Sequence, residues 1–441
     1  YLPQELPESE RTLSAYDFFC MSPVFFDQSP RELGELAARL SLPADVFYSD
    51  QLMQTFSGGE RVKLQLARLL MSSPTTLLLD EPTNDLDRDS VLWLENFLLS
   101  CKLTVLFVSH DEVLLSSAAT SILLLERLRR RQVPRATLYR MGYDRFYEER
   151  GAAFEKQTRI ARKEREDFDA KMERYDAIRR KVERDQNAIS RQDPHGSRLL
   201  KKKMHTVQAM GRRFEREQEN MTAMPEQEEA IFAKLDCTPL PADKTVLDLS
   251  CAELNVGGRT LCRNIRLTVR ANEKLCICGH NGVGKSTLLH LIRDTLKKRD
   301  DLRVFYMPQD AGDLLDFSLS PVELLSPSGE KEERSRAGIL LGSMKFTADE
   351  MNHPSAGLSG GQKAKLMFLM MAQSGANVLL LDEPSRNLSP LSGPVIRELL
   401  AEYPGCIIAV SHDRRLIREV CTRTVELTPK GVRPSSLCDN F

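Results

Sequence analysis

The chain has 441 residues, of which 41% are hydrophobic and 28% are charged, and its formal net charge is −1. This length and balance predict two or three domains with buried cores and exclude a disordered chain. The apolar runs have the length of strands, which excludes membrane-spanning helices, and ten cysteines without C-x-x-C spacing favour free buried thiols over disulfides or zinc.

The chain begins with a pentapeptide, "YLPQE" at residues 1–5, that recurs almost unchanged as "YMPQD" at residues 306–310. Three more motifs occur twice: "FSGGE" (56–60) and "LSGGQ" (358–362), "LLLDEP" (77–82 and 379–384), and "VSHD" (108–111 and 410–413). The two copies of each of these three motifs are 302 positions apart. Spacing this regular predicts two homologous domains within one chain.

The segment between the copies, from about residue 144 to residue 235, is poor in glycine and rich in charged residues. Its apolar residues recur at the spacing of a helix-packing seam, which predicts two long helices in an antiparallel hairpin. The seam residues are Phe168, Met172, Tyr175 and Val182 in the first helix and Leu200, Met204, Val207, Phe214, Met221 and Met224 in the second. We expect the turn at 190–197, which contains Pro194 and Gly196, and we expect Pro225 to end or kink the second helix.

The far end of this hairpin carries an unbalanced charge. Eleven basic and three acidic residues lie at 178–213, for a local net charge of +8 in an almost neutral chain. A charge run usually forms a solvated helix face, but an excess this local fits a phosphate backbone better. The residues expected to make that contact are Arg191, Arg198, Lys201, Lys202 and Lys203.

One motif has a single copy. "GHNGVGKST" (279–287) has the form of a P-loop and lies between the strand-like "KLCIC" and an apolar helical run. Its lysine, Lys285, precedes Gln309 by 24 positions, and the same spacing before Gln4 would place a lysine ahead of residue 1. We therefore expect a chain truncated at its N-terminus, with at most one complete nucleotide site.

The residues of the P-loop and of the motifs that follow it suit phosphoryl chemistry. The glycines let backbone N–H groups approach phosphate, and Lys285 neutralises its charge. Glu383 is placed to polarise an attacking water, and His412 to donate a hydrogen bond to the terminal phosphate. The candidates for contact with Mg²⁺ are Ser286, Gln309 and Asp382, and Gln309 is also a catalytic candidate because it can bridge the metal and the attacking water.

These motifs, in this order, resemble those of the ATP-binding-cassette (ABC) ATPases. The resemblance implies two cassettes that enclose nucleotides head to tail, each P-loop facing the signature motif ("SGG") of the other cassette. It implies one complete site for ATP and Mg²⁺, made of Gly279, His280, Asn281, Gly282, Val283, Gly284, Lys285, Ser286, Thr287, Gln309, Asp382, Glu383 and His412 and closed by Ser57, Gly58 and Gly59.

The resemblance also implies an opposite site, which lacks a P-loop in this chain. It would retain Gln4, Asp80, Glu81 and His110, with Glu81 and His110 in catalytic positions, and the signature residues Ser359, Gly360 and Gly361. The sequence departs from the family pattern at Val256, where an aromatic residue usually stacks on adenine. That departure leaves the preference for ATP over GTP open.

The arrangement of cassette, helical linker and cassette resembles the ABC-F family. The resemblance predicts an α/β fold: two P-loop ABC ATPase domains, with mixed β-sheets and helical subdomains, joined by a long antiparallel helical hairpin. The predicted domains are 1–143, 144–236 for the hairpin, and 237–441. A transporter ATPase is disfavoured because no membrane segment is present. A chromosome or repair ATPase would carry its coiled coil inside one cassette.

The variant motif "RNLSPLS" (386–392), together with the sequence of the hairpin tip, resembles the antibiotic-resistance members of the ABC-F family. This implies a monomeric cytoplasmic ATPase that binds the 70S ribosome near the tRNA exit site and contacts rRNA and P-site tRNA through its tip. It would protect the peptidyl-transferase centre from lincosamide, streptogramin A and pleuromutilin antibiotics. A translation factor for stalled ribosomes is the alternative, and a nucleic-acid-remodelling ATPase is a more distant one.

Overall fold

Two compact units make up the described part of the chain. The computed structural model describes residues 1–84, 86–127, 133–188, 194–222, 235 and 237–435. One unit comprises Tyr1–Thr120 and Glu229–Phe441 and holds both copies of the repeat, and the other comprises Ser121–Glu228. No helix within the described ranges is both long and apolar enough to cross a membrane.

The first copy of the repeat is mainly helical in the described range. Its strands β1 (Thr76–Asp80) and β2 (Thr104–Val108) pair in parallel. Its helices are α1 (Glu8–Arg11), α2 (Ala15–Cys20), α3 (Pro30–Leu40), α4 (Gly58–Met71), α5 (Arg88–Ser100) and α6 (Glu112–Ala118). Ser29 and Ser57 cap α3 and α4, each with a glutamate three residues later, which determines where these helices begin.

The second unit contains a strand pair and the predicted helical hairpin. Strands β3 (Ile122–Arg127) and β4 (Val133–Tyr139) are antiparallel, and helices α7 (Tyr143–Ala188) and α8 (Pro194–Glu219) follow. The ring of Phe214 lies edge-on to Phe168 at 6.2 Å and to Tyr175 at 5.5 Å. These seam contacts confirm the antiparallel hairpin.

The turn of the hairpin differs from the prediction. Helix α8 begins at Pro194, so 194–197 belong to a helix and not to the turn. Proline is tolerated in the first turn of a helix because its missing N–H would have no helical partner there. The same helix ends at Glu219, before Pro225, where its end or a kink was predicted. The tip residue Arg191, the seam residue Met224 and Pro225 itself lie outside the described residues.

The second copy of the repeat carries a larger sheet. Its strands are β5 (Thr245–Val256), β6 (Arg259–Arg270), β7 (Lys274–Cys278), β8 (Val304–Met307), β9 (Val378–Asp382), β10 (Cys406–Val410), β11 (Arg423–Thr428) and β12 (Gly431–Pro434). Strands β5 and β6 form an antiparallel pair, and the others form one sheet in the order β12-β11-β7-β10-β9-β8. All neighbours in that sheet are parallel except β11 and β12.

Helices pack around this sheet and cover its core. They are α9 (Lys285–Leu296), α10 (Pro321–Leu325), α11 (Lys331–Ser343), α12 (Ala348–Asn352), α13 (Gly360–Gln373), α14 (Gly393–Glu402) and α15 (Arg414–Val420). Strands β9 and β10 are buried along their whole length, as apolar strands of a covered parallel sheet should be. Because β7, β8, β9 and β10 run in parallel, the residues that follow them meet at one edge of the sheet.

Four pairs of elements in the described part of the chain correspond between the two copies. Strands β1 and β9, strands β2 and β10, helices α4 and α13, and helices α6 and α15 begin and end 302 positions apart. The predicted α/β fold, with two related domains and a long helical pair between them, is confirmed. The boundaries predicted at 143/144 and 236/237 remain predictions.

Candidate nucleotide-binding site

The P-loop runs from the end of β7 to the start of α9, and its glycines are required by its geometry. Gly279 has φ 144°, and a Cβ there would lie 2.6 Å from the backbone oxygen of Leu427. Gly284 has φ 102°, and a Cβ there would lie 3.0 Å from Leu261 Cδ1. Both conformations are left-handed, where glycine is favoured, and both positions are crowded. The loop therefore keeps a tight backbone cradle at the N-terminus of α9.

Lys285 is the first residue of α9 and is largely buried. Its Nζ donates to the backbone oxygens of Gly279 at 2.8 Å and His280 at 3.1 Å and to Asn281 Oδ1 at 3.2 Å. Burial lowers the pKa of Lys285, although Glu383 and other acidic groups nearby act to raise it. The ammonium group therefore lies inside the loop, where a phosphate would be held.

Asp382 ends β9 and is 3% exposed. Burial raises the pKa of its carboxyl group, and a hydrogen bond with Ser286 acts in the opposite direction. Its Oδ1 is buried and has no hydrogen-bond partner among the described residues. A buried carboxylate oxygen without a partner is costly, and a cation would relieve that cost. Asp382 and Ser286 thus fit the predicted Mg²⁺ contact, and Gln309 lines the same cavity.

Glu383 follows Asp382 in a left-handed conformation, with φ 50°. Burial raises the pKa of its carboxyl group to about 7. The backbone N–H of His412 donates to Glu383 Oε2 at 3.3 Å, and His412 Nε2 lies 3.7 Å from Oε1. Burial, with Lys285 nearby, lowers the pKa of His412 to about 4. At neutral pH the site therefore pairs a carboxyl group near its midpoint with an uncharged imidazole, as acid–base chemistry requires.

A cavity of about 510 Å³ brings most of the predicted residues together. The second copy lines it with Asn281, Gly282, Gly284, Lys285, Ser286, Thr287, Gln309, Asp382, Glu383 and His412, among others. The first copy contributes Thr83, Asn84, Leu86, His110, Asp111 and Glu112. In addition, His280 Nδ1 and Asp87 Oδ2 lie 3.2 Å apart and link the P-loop to the N-cap of α5. Residues of both copies therefore form the cavity.

The first signature motif lies elsewhere in this structure. Ser57, Gly58 and Gly59 are not among the described residues that line the 510 Å³ cavity. Ser57 caps α4 through a reciprocal pair of hydrogen bonds with Glu60, and Gly59 packs so closely on α5 that a Cβ would meet Ser90 Oγ. The predicted closure of the P-loop site by these three residues remains a prediction.

The residues predicted for the opposite site meet in a second cavity of about 390 Å³. Its lining includes Gln4, Asp80, Glu81 and His110 from the first copy and Gly360 and Gly361 from the second. Glu81 has φ 45°, as its counterpart Glu383 has φ 50°, and burial raises its pKa. His110 Nε2 lies 3.1 Å from Glu81 Oε1. Ser359 caps α13 at the edge of this group.

Comparison with known proteins shows which proteins this chain is similar to. The sequence matches the family described as ABC transporter at residues 1–84 and 262–386, in both copies of the repeat. ABC transporter F family member 4 of Arabidopsis thaliana is 31% identical over 417 residues, and ATP-binding cassette sub-family F member 3 of Rattus norvegicus is 30% identical over 425 residues. The chain belongs to the ABC-F family.

This ABC-F chain spans little more than half the length of those relatives. The matches cover 90% and 94% of the chain but 54% and 55% of the Arabidopsis and rat proteins, respectively. A solved complex of archaeal ribosomal stalk protein aP1 with the archaeal ribosome recycling factor aABCE1 has a TM-score of 0.56 and 18% identity, and it covers 97% of this chain and 71% of that chain. A likeness at that identity shows the fold alone. The family match in both copies identifies them as ABC ATPase domains, called cassettes below.

Sequence reasoning missed several residues of the ABC-F site. The segment after the first "LLLDEP" (Thr83, Asn84, Leu86 and Asp87) approaches the P-loop, and Leu261 of β6 lines its cavity, whereas Val256 is not among the lining residues and is 49% exposed. The contrast between "TNDLD" and "SRNLS" after the two motifs was visible in the sequence. The sequence did not show that this segment lies at the cavity, because contacts between the cassettes depend on how the cassettes pack.

Proposed function

We propose that this chain hydrolyses ATP at the cavity built on Lys285. The observation that carries the proposal is the meeting of Lys285, Asp382, Glu383 and His412 in one cavity lined by both cassettes. Phosphoryl transfer needs positioned positive charge, a group that orients water and exclusion of bulk solvent. These four residues supply the first two, and the neighbouring cassette supplies the third.

Each residue has a separate role in the proposed reaction. The P-loop backbone and Lys285 hold the phosphates, and Glu383 accepts a hydrogen bond from the attacking water in its ionised form. His412 is uncharged at neutral pH, so its ring can donate one hydrogen bond without adding positive charge. Mg²⁺, held by Ser286, Gln309 and Asp382, would neutralise charge on the phosphate oxygens. Glu81 and His110 are proposed to serve the opposite site in the same way.

The Glu383→Gln variant tests this proposal. The change keeps the size of the side chain but removes the carboxylate, so we expect ATP to bind as before while the hydrolysis rate falls at least 100-fold. Glu398→Gln makes the same chemical change at an exposed position of α14 and should leave the rate unchanged. If Glu383→Gln hydrolyses ATP normally while Lys285→Ala does not, the base has been assigned wrongly. If neither variant changes the rate, the site itself has been assigned wrongly.

We also propose that the hairpin binds ribosomal RNA and tRNA. The support is the line of exposed basic side chains at the start of α8, namely Arg198, Lys201, Lys202 and Lys203, in a chain of almost zero net charge. Such a line favours contact with phosphates, and binding should weaken as salt rises because counterions are released. The ABC-F arrangement of two cassettes around a helical hairpin supports the ribosome, specifically near the tRNA exit site, as the partner.

Sedimentation with 70S ribosomes tests this partner. In the presence of ATP, the Glu383→Gln chain should sediment with ribosomes, and replacing Lys201, Lys202 and Lys203 by glutamate should abolish this. The matched control replaces Arg159, Arg162 and Lys163, which are exposed on α7, by glutamate and should sediment as before. Equal loss in both triple variants would indicate non-specific attraction. Sedimentation with duplex DNA instead would favour the nucleic-acid-remodelling alternative.

The most specific part of the proposal is that the chain acts in the cytoplasm and protects the peptidyl-transferase centre of the ribosome from antibiotics. Its support is the resemblance of "RNLSPLS" and the tip sequence to resistance members of the family. Cells expressing the full-length gene should survive higher concentrations of a lincosamide, a streptogramin A or a pleuromutilin than cells expressing its Glu383→Gln variant. Unchanged susceptibility to all three would favour the alternative, a translation factor that acts on stalled ribosomes.

A further inference from the structure

A cluster of buried ion pairs joins the two cassettes, and one of its members, Glu112, also lines the cavity built on the P-loop. Glu112 accepts hydrogen bonds from Arg397 Nη1 at 2.6 Å and Nη2 at 3.1 Å, and from Arg415 Nη1 at 2.8 Å. Arg414 donates to both carboxylate oxygens of Glu95. Glu95, Glu112 and Arg397 are 8%, 7% and 3% exposed. Every acidic member of these pairs comes from the first cassette, and every basic member comes from the second.

The two main pairs are copies of a single contact. Residues 95 and 397 are 302 positions apart, and so are residues 112 and 414, which is the offset of the whole repeat. Helices α5 and α14 carry the first pair of positions, and helices α6 and α15 carry the second. The two pairs are therefore equivalent under the repeat, because Glu95 corresponds to Arg397 and Glu112 corresponds to Arg414. At both positions the first cassette has glutamate and the second has arginine.

The neighbourhood is shaped to hold these charges. A Cβ at Gly393 would lie 2.0 Å from Glu112 Oε1 and 2.8 Å from Arg397 Nη1, so glycine leaves room for this pair. Arg397 Nε also donates to Glu419 Oε2 at 2.6 Å, and Arg415 Nη2 donates to Ser116 Oγ at 2.9 Å. Arg414 further lies 3.7 Å from Asp111 Oδ2. Removing one partner would leave a buried charge uncompensated, so these contacts favour the arrangement of the cassettes that satisfies all of them.

Because equivalent positions of the two cassettes meet at this surface, like cassettes from two chains would bring the same positions together. A pair of first cassettes would bury Glu95 against Glu112 twice, and a pair of second cassettes would bury Arg397 against Arg414 twice. Like charges buried together are strongly unfavourable, because both lose water and repel each other. The charges thus favour unlike cassettes and oppose like ones.

We infer that the charges of Glu95, Glu112, Arg397 and Arg414 determine which cassettes pair, selecting the first with the second and preventing association between chains through like cassettes. The surface in question is the face formed by α5 and α6 in one cassette and by α14 and α15 in the other. Its partner is the unlike cassette of the same chain. This inference concerns association and is independent of whether the chain hydrolyses ATP.

Two full-chain variants test it. In the acidic chain (Arg397→Glu with Arg414→Glu), both cassettes carry negative charge at this surface. In the basic chain (Glu95→Arg with Glu112→Arg), both cassettes carry positive charge there. In sedimentation velocity with ATP, each variant should be monomeric alone. Their mixture should form a one-to-one complex in which the unaltered first cassette of the acidic chain pairs with the unaltered second cassette of the basic chain. A mixture that remains monomeric, or either chain forming a dimer alone, would overturn the inference. Exchange of charges at the exposed pair Arg31 and Glu35 is the control and should leave the chain monomeric.

A neutral variant keeps the inference testable if the charge-reversed chains do not fold. Replacing all four residues by glutamine removes their charges while keeping a hydrogen-bonding side chain at each position. Discrimination should then be lost, and the chain should form dimers that increase with concentration. A neutral chain that stays monomeric at every concentration, with unchanged thermal stability, would show that shape alone selects the partner and would overturn the inference.

Discussion

Glu383 and His412 illustrate how burial sets the protonation state of single residues. Both side chains lie at the edge of the sheet where β9 and β10 end, and both lose water there. Loss of water disfavours the charged form, so the pKa of the carboxyl group rises to about 7 and that of the imidazole falls to about 4. The two groups therefore titrate in different pH ranges, although they lie side by side.

The pH dependence of hydrolysis follows from these values. If Glu383 must be ionised to orient water, kcat/KM should rise with pH, reach half its maximum near pH 7 and level off about one unit above. His412 adds no titration step near pH 7 because its imidazole is already uncharged at that pH. His412→Gln should therefore lower the rate but keep the midpoint. A midpoint that moves in His412→Gln, in assays across the pH range, would assign the titration to the histidine.

Gly279 tests the backbone of the P-loop. Gly279→Ala places a Cβ 2.6 Å from the oxygen of Leu427 at φ 144°, a strain of about 1–3 kcal/mol, so ATP should bind about tenfold more weakly or worse. Gly338→Ala is the control, since Gly338 lies within α11 with open space at its Cβ. It should stabilise the chain by up to about 1 kcal/mol. Calorimetry with ATP would measure the first effect, and equal affinities would contradict it.

At the element scale, the long helices depend on few apolar contacts. Phe214 meets both Phe168 and Tyr175, and most other residues of α7 and α8 are exposed. Phe214→Ala should destabilise the hairpin by about 2 kcal/mol because it removes both aromatic contacts. Native-state trypsin cleavage within the hairpin should then accelerate about 30-fold, whereas Ile178→Ala, at a 45% exposed position, should change it little. Equal rates would show that the seam does not hold the helices together.

How far the sequence predicts an element depends on whether the cause is local. The seam of the hairpin, the P-loop and the strands that occur in both copies of the repeat follow from residue spacing, and the structure contains each of them. The prediction of a turn at 190–197 is wrong for 194–197, which belong to α8, because a proline is compatible with both a turn and the first turn of a helix. Residues 190–193 lie outside the described part of the chain. The ion pairs of Glu95 and Glu112 with arginines also escaped prediction. Their partners are about 300 residues away, and only the packed cassettes bring them together.

At the scale of the whole molecule, the cavity on Lys285 includes residues of both cassettes, so ATP should order both. Hydrogen exchange of the full chain should slow with ATP at the P-loop (279–287) and also at 110–112 of the first cassette, whose residues line the same cavity. Helix α3 is not among the lining elements and should exchange at an unchanged rate. Lys285→Ala should remove both effects together. Protection confined to the P-loop would mean that ATP binds one cassette without engaging the other, and the expectation that ATP orders both cassettes would then fail.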